Sequence, residues 1–546
     1  MYGICFGACV QGIEGKTVRV EIDLSNGLPA FAIVGLPDVA VRESTERVRA
    51  ALKNGSYEFP MRRITVNLAP ADVRKEGASF DLAIAVGILL ASGQWSASIA
   101  ESTMFLGELS LLGEVRPVPG VLSMAAAAKG AGLRRLVVPW DNAREAALVD
   151  GLDVVPIRRL GDIVDASGAR PATPVKAATP PAAPETGSEP DFADVVGLRQ
   201  SKRALAIAAA GMHNVLFIGP PGSGKTMLMR RLGTILPPLD DDEALEVTKI
   251  YSAAGQFSDR GSLVRKRPFR STHHTITAQG MVGGGSVPRP GEASLAHRGV
   301  LFLDELPEYP RAVLEALRQP LEDGFLTVAR AKTTLTYPAR FLLAGTMNPC
   351  PCGYDGYEDE YRHCICSLTR KIAYLSKLSG PLIDRIDIVM DIPRMLPEDA
   401  ALWRHGGNAA TASLSTGDAG GTGARGSERI GSAELRALVE RARLAQRRRY
   451  REAGVRSNAE LAGAALARHC ELDAAGAALL MKAYRELGLS ARAHDRVLRV
   501  ARTIADIDGA ERIEAGHVHE ALLYRSLDLR KQRLRPGAKT APHERG

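Results

Sequence analysis

Residues 215–226 read VLFIGPPGSGKT, are followed by the helix-like run MLMRRL, and decide the fold of the central part of the chain. The apolar residues 215–218 predict a buried strand, and a Gly-x-x-x-x-Gly-Lys-Thr loop between a strand and a helix is typical of phosphate binding. Backbone N–H groups of such a loop close around phosphate oxygens, aided by the positive N-terminus of the helix. We expect Lys225 to reach the β- and γ-phosphates of a nucleotide and Thr226 to ligate Mg²⁺. The predicted nucleotide-binding residues are Gly219, Pro220, Pro221, Gly222, Ser223, Gly224, Lys225 and Thr226.

Two further strands supply candidate catalytic residues. Residues 300–303, VLFL, predict a buried strand that ends at Asp304 and Glu305. Paired acids at the end of a strand suit ATP hydrolysis, with Asp304 holding Mg²⁺ and Glu305 acting as general base on the attacking water. Asn348 follows a third predicted strand. It either hydrogen-bonds the γ-phosphate and its water or is an ordinary turn residue.

The composition is that of a globular protein with several domains. The 546 residues are 45% hydrophobic and 24% charged, and this length suits three or four domains. No apolar run reaches the roughly 18 residues that cross a bilayer, and the most apolar stretch, residues 82–91, predicts a buried helix. The first residues, MYGICFGACVQG, lack the basic and apolar regions of a secretory signal. We therefore expect a cytoplasmic protein without a membrane partner.

The positive charge is concentrated at one end of the chain. Lys and Arg number 70 against 62 Asp and Glu, and residues 431–546 hold 23 of the cations but only 15 of the acids. The C-terminal fifth therefore carries the whole surplus of +8. A basic module on a neutral body indicates a polyanionic partner, nucleic acid first. The alternative is a helical domain whose arginines lie on solvent-exposed faces or at a subunit interface.

Two low-complexity stretches divide the chain. Residues 168–190 are rich in Pro and Ala and predict an extended linker, and residues 405–430 are rich in Gly, Ser and Thr and predict a flexible one. Residues 1–167 and 191–404 alternate short strands with Ala-rich helices. Residues 431–533 are helical in pattern, and a tail predicted to be disordered, residues 534–546, completes the chain.

Four of the seven cysteines, Cys350, Cys352, Cys364 and Cys366, lie within 17 positions. In a reducing compartment such a cluster is typical of a structural Zn²⁺ site. Uncoordinated thiols are the alternative, because Cys-x-Cys spacing is less diagnostic than Cys-x₂-Cys. Since the cluster directly follows Asn348, a metal there would brace the wall of the nucleotide site rather than catalyse.

Several long motifs give the chain a family resemblance. Residues 191–395 resemble an AAA+ ATPase module of the magnesium-chelatase-like branch, and nearly all of residues 1–533 resembles the bacterial ComM/YifB family. Some members of this family are associated with natural transformation. Besides the phosphate-binding loop, the resemblance rests on RPFRSTHH (267–274), GEASLAHRGVLFLDE (291–305), MNPCPCG (347–353), SGPLIDRID (379–387) and SARAHDRVLRVARTIADI (490–507).

The resemblance implies roles for individual residues. Asn348 corresponds to sensor 1, and Arg385 corresponds to the arginine finger, a cation that reaches the γ-phosphate held by a neighbouring subunit. A sensor-2 arginine is expected near residue 490, where Arg492 fits best and Arg496 is the alternative. An arginine that acts on a neighbour implies a homo-oligomeric ring, usually a hexamer in AAA+ proteins.

The N-terminal part, residues 1–167, resembles the Lon-protease-like domain, an α/β fold of the ribosomal protein S5 domain 2 type. The expected fold class is therefore α/β, with this domain, an AAA+ P-loop domain and a C-terminal helical lid. Lon-type proteases use a Ser–Lys dyad. Ser79 falls near the nucleophile, but Leu122 occupies the position of the lysine, and Lys129 lies seven residues further on. We therefore expect no peptidase activity and a structural or polymer-guiding role.

Two insertions carry candidate DNA contacts. Residues 251–297 contain Arg265, Lys266, Arg267 and Arg270, together with His273 and His274, and residues 322–340 read as a hairpin with Arg330 and Lys332 at its turn. Cations on loops that face a channel suit tracking of a phosphate backbone. Packing of a subunit interface is the alternative, particularly for the two histidines.

Three function classes compete on these grounds. The family resemblance implies a DNA-translocating ring, a branch-migration helicase that binds single-stranded or branched DNA and acts in recombination during natural transformation. The alternative is a chelatase-type motor that remodels a partner protein for metal insertion. An ATP-dependent protease is disfavoured by Leu122. Each class requires ATP and Mg²⁺, with Zn²⁺ as a candidate structural ion.

Overall fold

The computed structural model describes residues 1–164, 190–257, 262–285, 288–330, 333–358, 362–393, 429–451, 454–487 and 489–525. The greater part of both predicted linkers, the predicted tail and Lys332 lie outside the described residues. What is described is α/β, with two large sheets and a C-terminal helical region, as the sequence predicts.

Residues 1–164 form a mixed seven-stranded sheet with helices packed on it. The strands are β1 Tyr2–Gln11, β2 Glu14–Ser25, β3 Ala30–Val34, β4 Arg63–Ala69, β5 Thr103–Phe105, β6 Glu108–Leu109, β7 Val115–Arg116, β8 Arg135–Pro139 and β9 Asp153–Ile157. The helices are α1 Val39–Asn54, α2 Asp81–Ala91, α3 Val121–Gly130 and α4 Ala143–Ala146. The sheet order is β3-β4-β2-β1-β5-β8-β9, with β6 and β7 paired separately.

Helix α2 confirms the buried helix predicted from the apolar run. It lies against β1 and β2, and ten of its eleven residues are buried. Asp81 at its first position is fully buried, and Arg47 of α1 neutralises it with hydrogen bonds of 2.6 and 2.9 Å. A buried carboxylate without such a partner would be strongly destabilising, so this pair holds α1 against α2.

Residues 191–393 form the second unit, around a parallel five-stranded sheet. Its strands are β10 Val215–Ile218, β11 Phe269–Thr272, β14 Val300–Leu303, β17 Leu342–Met347 and β18 Ile388–Asp391, in the order β11-β14-β17-β10-β18. Two small hairpins pair β12 Gly283–Gly284 with β13 Arg289–Pro290 and β15 Phe325–Arg330 with β16 Thr333–Pro338. The second of these confirms the predicted hairpin within residues 322–340.

The helices of this unit cover the sheet. They are α5 Arg199–Gly211, α6 Lys225–Ile235, α7 Asp241–Ala254, α8 Ala278–Val282, α9 Glu292–Leu295, α10 Arg311–Ala316, α11 Arg318–Asp323, α12 Leu368–Ser376 and α13 Gly380–Ile383. The four residues of β10 and the four of β14 are all buried, as expected for parallel strands covered on both faces.

The C-terminal region is helical and shares its core with the second unit. Its helices are α14 Ser432–Arg449, α15 Gly463–His469, α16 Ala474–Leu487, α17 Ala491–Asp508 and α18 Ala515–Leu523. The apolar faces of α14 and α17 pack on α5 in one continuous cluster of buried side chains. Buried polar contacts reinforce this packing: His213 bonds Thr503 at 2.7 Å, and Gln446 donates to the Ala210 carbonyl at 3.1 Å.

The N-terminal sheet unit contacts the second unit through α7. The buried Glu145 accepts hydrogen bonds from the backbone N–H of Leu122 at 3.0 Å, from Asn142 at 3.1 Å and from the hydroxyl of Ser252 on α7. The Gly120 N–H donates to the Ser252 carbonyl at 3.1 Å, and Lys249 pairs with Glu14 at 3.2 Å. None of the helices in the described ranges is both long and apolar enough to span a membrane.

Candidate functional site

The order of the parallel sheet brings the predicted nucleotide-site residues to one edge. Strand β17 lies between β10 and β14, in parallel register with both. The carboxyl ends of three adjacent strands therefore carry the phosphate-binding loop, Asn348 and the Asp304–Glu305 pair. Ligands of open α/β sheets bind at this edge.

The loop after β10 has the backbone that its glycines permit. Gly222 and Gly224 have φ values of +77° and +83°, a region that L-residues with side chains rarely adopt. At Gly219 a Cβ atom would lie 2.5 Å from the Ile392 carbonyl oxygen, so the close approach to the chain after β18 also requires glycine. Helix α6 begins at Lys225, and its N-terminus points into the loop.

Lys225 is nearly buried beneath the loop. Its ammonium donates to the carbonyls of Gly219 and Pro220 at 2.8 Å each, and it lies 3.5 Å from Oδ1 of Asn348. Burial lowers the pKa of Lys225 to about 8, against the opposing effect of the acidic groups of Asp304 and Glu305. An anion placed in the loop would favour the charged ammonium, as a triphosphate does.

The Asp304 carboxylate, at the end of β14, accepts hydrogen bonds from helix α6 and from strand β17. The Thr226 hydroxyl lies 3.1 Å from each of its oxygens, and the Thr346 hydroxyl donates to Oδ1. A hydroxyl and a carboxylate are oxygen donors of the kind that Mg²⁺ prefers. Thr226 and Asp304 therefore fit the predicted Mg²⁺ ligands.

Glu305 is held in an unusual conformation next to this cluster. Its φ of +52° lies in the left-handed region, which costs a non-glycine residue about 1–3 kcal/mol. Its backbone N–H donates to the Thr346 hydroxyl at 3.2 Å, and its side chain is exposed at the sheet edge. Thr346 was not predicted from the sequence, where its only signal is its place two residues before Asn348.

The predicted finger residue Arg385 lies at the opposite edge of the sheet. The Asn214 side chain, just before β10, donates to the Arg385 carbonyl at 2.7 Å, whereas the phosphate-binding loop begins beyond the other end of that strand. Four residues of strand span about 13 Å. The Arg385 guanidinium donates to the Pro381 carbonyl at 2.6 Å and pairs with Glu322. Arg385 therefore does not face its own phosphate-binding loop.

The two sensor-2 alternatives differ in exposure. Arg492 is largely exposed and lies 3.6 Å from Glu322, the carboxylate that also holds Arg385. Arg496 is buried and donates to the Ile386 carbonyl at 3.2 Å. Arg492 is thus grouped with Arg385 on an accessible surface, while Arg496 ties α17 to the chain before β18.

The four clustered cysteines come together in space. Their sulfur atoms all lie within 4.8 Å of one another, and Cys350 lies 3.3 Å from Cys352 and 3.8 Å from Cys364. A tetrahedral Zn²⁺ with bonds of about 2.3 Å would separate its sulfurs by about 3.8 Å. The set therefore has the chemistry and spacing to hold such an ion.

The cysteine segment packs directly on the nucleotide site. A Cβ atom on Gly353 would lie 2.6 Å from the Pro221 side chain in the phosphate-binding loop. Tyr357 donates to Asp391 at 3.0 Å and lies 3.4 Å from the Ile218 carbonyl. A metal that rigidified this segment would therefore also support the loop.

The predicted DNA contacts in residues 251–297 are dispersed. Arg265 is exposed and pairs with Asp241 at 2.8 Å, and Lys266 is exposed too. Arg267 is buried against Glu243 at 2.7 Å, and Arg270 is bound by both oxygens of Glu292.

This placement corrects the prediction for Arg267 and weakens it for Arg270. A guanidinium buried inside the protein cannot reach the backbone of a DNA strand at the surface, and charge alone did not reveal the difference. The ring centroids of His273 and His274 lie 4.0 Å apart, with the ring planes tilted by 34°. Arg330 ends β15, and Lys332 is outside the described residues.

The region that corresponds to a Lon-type dyad is closed. The Ser79 hydroxyl is buried and donates to the Ala8 carbonyl at 3.0 Å, and the Leu122 side chain is fully buried. The backbone at Leu122 is held by Glu145, which also binds Ser252. The absence of peptidase activity remains a prediction, supported by this use of the region as a domain contact.

Comparisons with known proteins agree with this geometry. Family models match residues 191–400 (magnesium chelatase, subunit ChlI), 20–142 (subunit ChlI of Mg-chelatase) and 429–525 (subunit ChlI C-terminal). The chain is 42% identical to competence protein ComM of Haemophilus influenzae, over 97% of this chain and 99% of that protein. It is also 42% identical to the uncharacterized protein YifB of Salmonella typhimurium, over 95% and 96%. The magnesium-chelatase 38 kDa subunit of Cereibacter sphaeroides is 28% identical over 29% of this chain and 52% of that protein.

The sheet order, the phosphate-binding loop and the paired acids define a P-loop protein of the AAA+ class. The similarity over nearly the full length is specific: the chain belongs to the ComM/YifB family of magnesium-chelatase-like proteins. Membership of this family implies ATP and Mg²⁺ as the ligands of the phosphate-binding loop.

Glu305→Gln is predicted to retain ATP binding and to slow hydrolysis by at least about 100-fold, because an amide cannot accept the proton of the attacking water. Lys225→Ala is expected to abolish binding instead. Equilibrium binding of a fluorescent ATP analogue and steady-state phosphate release measure the two effects. Glu308→Gln, an exposed acid three residues further on, is the matched control. Hydrolysis by Glu305→Gln at the wild-type rate would show that Glu305 is not the base.

Cys352→Ser is predicted to lose the bound Zn²⁺ and, because Gly353 packs on Pro221, to weaken ATP binding as well. Elemental analysis of the purified chain and ATP titration test the two parts separately. Cys470→Ser, a buried thiol remote from the cluster, is expected to change neither. A wild-type chain purified without metal chelators that contains no zinc would remove the metal assignment.

Proposed function

We propose that the chain is an ATP-dependent, ring-forming DNA motor, a branch-migration helicase that acts in recombination during natural transformation. The observation that carries the ring is the position of Arg385 and Arg492. Both lie on the side of the sheet opposite to the phosphate-binding loop. Each chain therefore presents the loop at one edge of its sheet and the two arginines at the other. Repeating this head-to-tail contact closes into a ring.

Within such a ring the chemistry divides between two chains. Lys225, Thr226 and Asp304 bind the triphosphate and its metal ion, Glu305 takes the proton of the attacking water, and Asn348 orients that water. Arg385 and Arg492 of the neighbouring chain stabilise charge on the γ-phosphate in the transition state. Glu322 holds both arginines, so its carboxylate positions them for this role.

DNA is the proposed polymer for two reasons. The name of the Haemophilus influenzae relative connects that protein with competence, and the C-terminal fifth of this chain carries the whole positive surplus. Arg265, Lys266, Arg330 and Lys332 remain proposed contacts with the phosphate backbone. The competing chelatase-type motor uses the same nucleotide chemistry but requires a protein partner, so DNA binding separates the two proposals.

Full-length protein with ATP is predicted to bind a labelled four-way DNA junction with an affinity that falls by about 1,000-fold between 50 and 200 mM salt, because phosphate contacts release counterions. Arg330→Glu combined with Lys332→Glu is expected to weaken binding further. Lys53→Glu, in the exposed last turn of α1, is the control for a charge reversal away from the proposed contacts. Fluorescence anisotropy measures each affinity. Absent or salt-insensitive binding would favour the chelatase-type motor.

Arg385→Ala is predicted to lose ATPase activity and to recover part of it when mixed with Lys225→Ala chains. The Arg385→Ala chain keeps an intact phosphate-binding loop, and the Lys225→Ala chain keeps an intact Arg385. In a randomly mixed ring, about a quarter of the interfaces bring these two intact parts together. Phosphate release from equimolar mixtures measures the recovery. Mixing Arg385→Ala with the double variant Lys225→Ala, Arg385→Ala is the control, since no complete site forms. No recovery in the first mixture would contradict action on a neighbour.

A further inference from the structure

A cavity of about 520 Å³ lies between the AAA+ unit and the helical region, on the side of the sheet away from the phosphate-binding loop. Arginines from distant parts of the sequence converge on it. Nine arginines line the cavity, together with seven aspartate and glutamate residues. Arg385 and Arg492 belong to the proposed nucleotide contact, but the others are not explained by it.

Arg443 of α14 has the least neutralisation of its positive charge among these arginines. It is nine-tenths buried, yet it forms no ion pair with a carboxylate within the described residues. Its single hydrogen bond there runs from Nη1 to the Arg456 carbonyl at 3.3 Å, and its Nε has no partner. Burial, and after it the positive charge of Arg267, lowers the pKa of Arg443 to about 9. A buried guanidinium in this state requires an anion.

One carboxylate serves three guanidinium groups at this position. Glu243 of α7 binds Arg267 at 2.7 Å and lies 3.7 Å from Arg456, and it is the first acidic group to act on the charge of Arg443. Asp240 lies 3.9 Å from Arg456 as well. The cluster of Arg267, Arg443 and Arg456 around Glu243 therefore sets three positive charges against two carboxylates and keeps a surplus of one. We call this cluster the arginine seat.

Unsatisfied nitrogen atoms are concentrated in the same cavity. Five of the nine buried side-chain atoms without a hydrogen-bond partner in the described residues belong to arginines that line it: Arg385, Arg443, Arg456, Arg496 and Arg499. Buried polar groups in native proteins are nearly always satisfied. The concentration of donors points to a ligand with several acceptor oxygens.

We propose that the arginine seat binds a phosphate group, held by Arg443 of the helical region and by Arg267 and Arg456. Guanidinium groups match the oxygens of phosphate in geometry and charge. Because Arg267 precedes β11 and Arg443 lies on α14, the bound anion fastens the helical region to the AAA+ unit. The phosphate is either free in solution or part of a nucleotide, and both sources offer the same tetrahedral oxyanion.

The test uses the full chain with Lys225→Ala, which removes the lysine from the other phosphate site. Inorganic phosphate, compared with sodium chloride at equal ionic strength, is expected to raise the unfolding temperature in a saturable manner. Arg456→Gln on this background is expected to weaken the apparent phosphate affinity by roughly tenfold. It is preferred to Arg443→Gln because Arg456 is partly exposed on a loop and its replacement leaves α14 intact.

Arg451→Gln is the matched control, an exposed arginine five residues away, and it is expected to leave phosphate binding unchanged. A parallel titration with ADP identifies the source of the phosphate group. A rise in unfolding temperature with inorganic phosphate indicates the free ion. A rise with ADP alone, lost in Arg456→Gln, indicates a nucleotide. The proposal would be overturned if neither inorganic phosphate nor ADP raised the unfolding temperature more than sodium chloride does at equal ionic strength. Stabilisation lost in Arg385→Ala but retained in Arg456→Gln would overturn it too, since the anion would then belong to the finger.

Discussion

Strand β10 separates the two chemical halves of the AAA+ unit. The phosphate-binding loop follows its carboxyl end, while Asn214 at its amino end fixes the backbone of Arg385. Since β10 is buried and paired on both sides, neither half can move toward the other without breaking the sheet. In the proposed function, the chain therefore carries a phosphate-binding loop and two arginines, Arg385 and Arg492, that it cannot bring to its own loop. Ring assembly, in this proposal, brings the arginines of one chain to the phosphate-binding loop of its neighbour.

The nucleotide edge is stabilised from two directions. At the end of β14, Asp304 joins Thr226 of helix α6 to Thr346 of strand β17, so one carboxylate links these three elements. Outside the sheet, the cysteine segment lies against the phosphate-binding loop and leaves no space for a side chain at Gly353. The rigidity of the site therefore depends on a segment that is distant from the P-loop in sequence and that takes no part in the proposed chemistry.

The sequence predicted what is encoded locally. The strand–loop–helix context of Lys225 and the acids after β14 were recognisable because their chemistry depends on short spacings, and the similarity over nearly the full length bears out the family. Thr346 had no such spacing and was missed. Arg267 was wrongly predicted to contact DNA, because a basic stretch of sequence does not distinguish an exposed arginine from one that is buried against Glu243. The arginine seat could not be predicted from the sequence, because its members come from α7, the loop before β11, α14 and the loop after α14, which meet only in the folded chain.

Helix α7 connects features that have been described separately. Its 14 residues span about 21 Å, with Glu243 of the arginine seat in the first turn and Lys249 and Ser252 on the N-terminal sheet unit near the other end. A continuous helix of this length is a stiff rod. A tilt of this helix at the arginine seat would displace its other end, which Lys249 and Ser252 fasten to Glu14 and Glu145 of the N-terminal sheet unit.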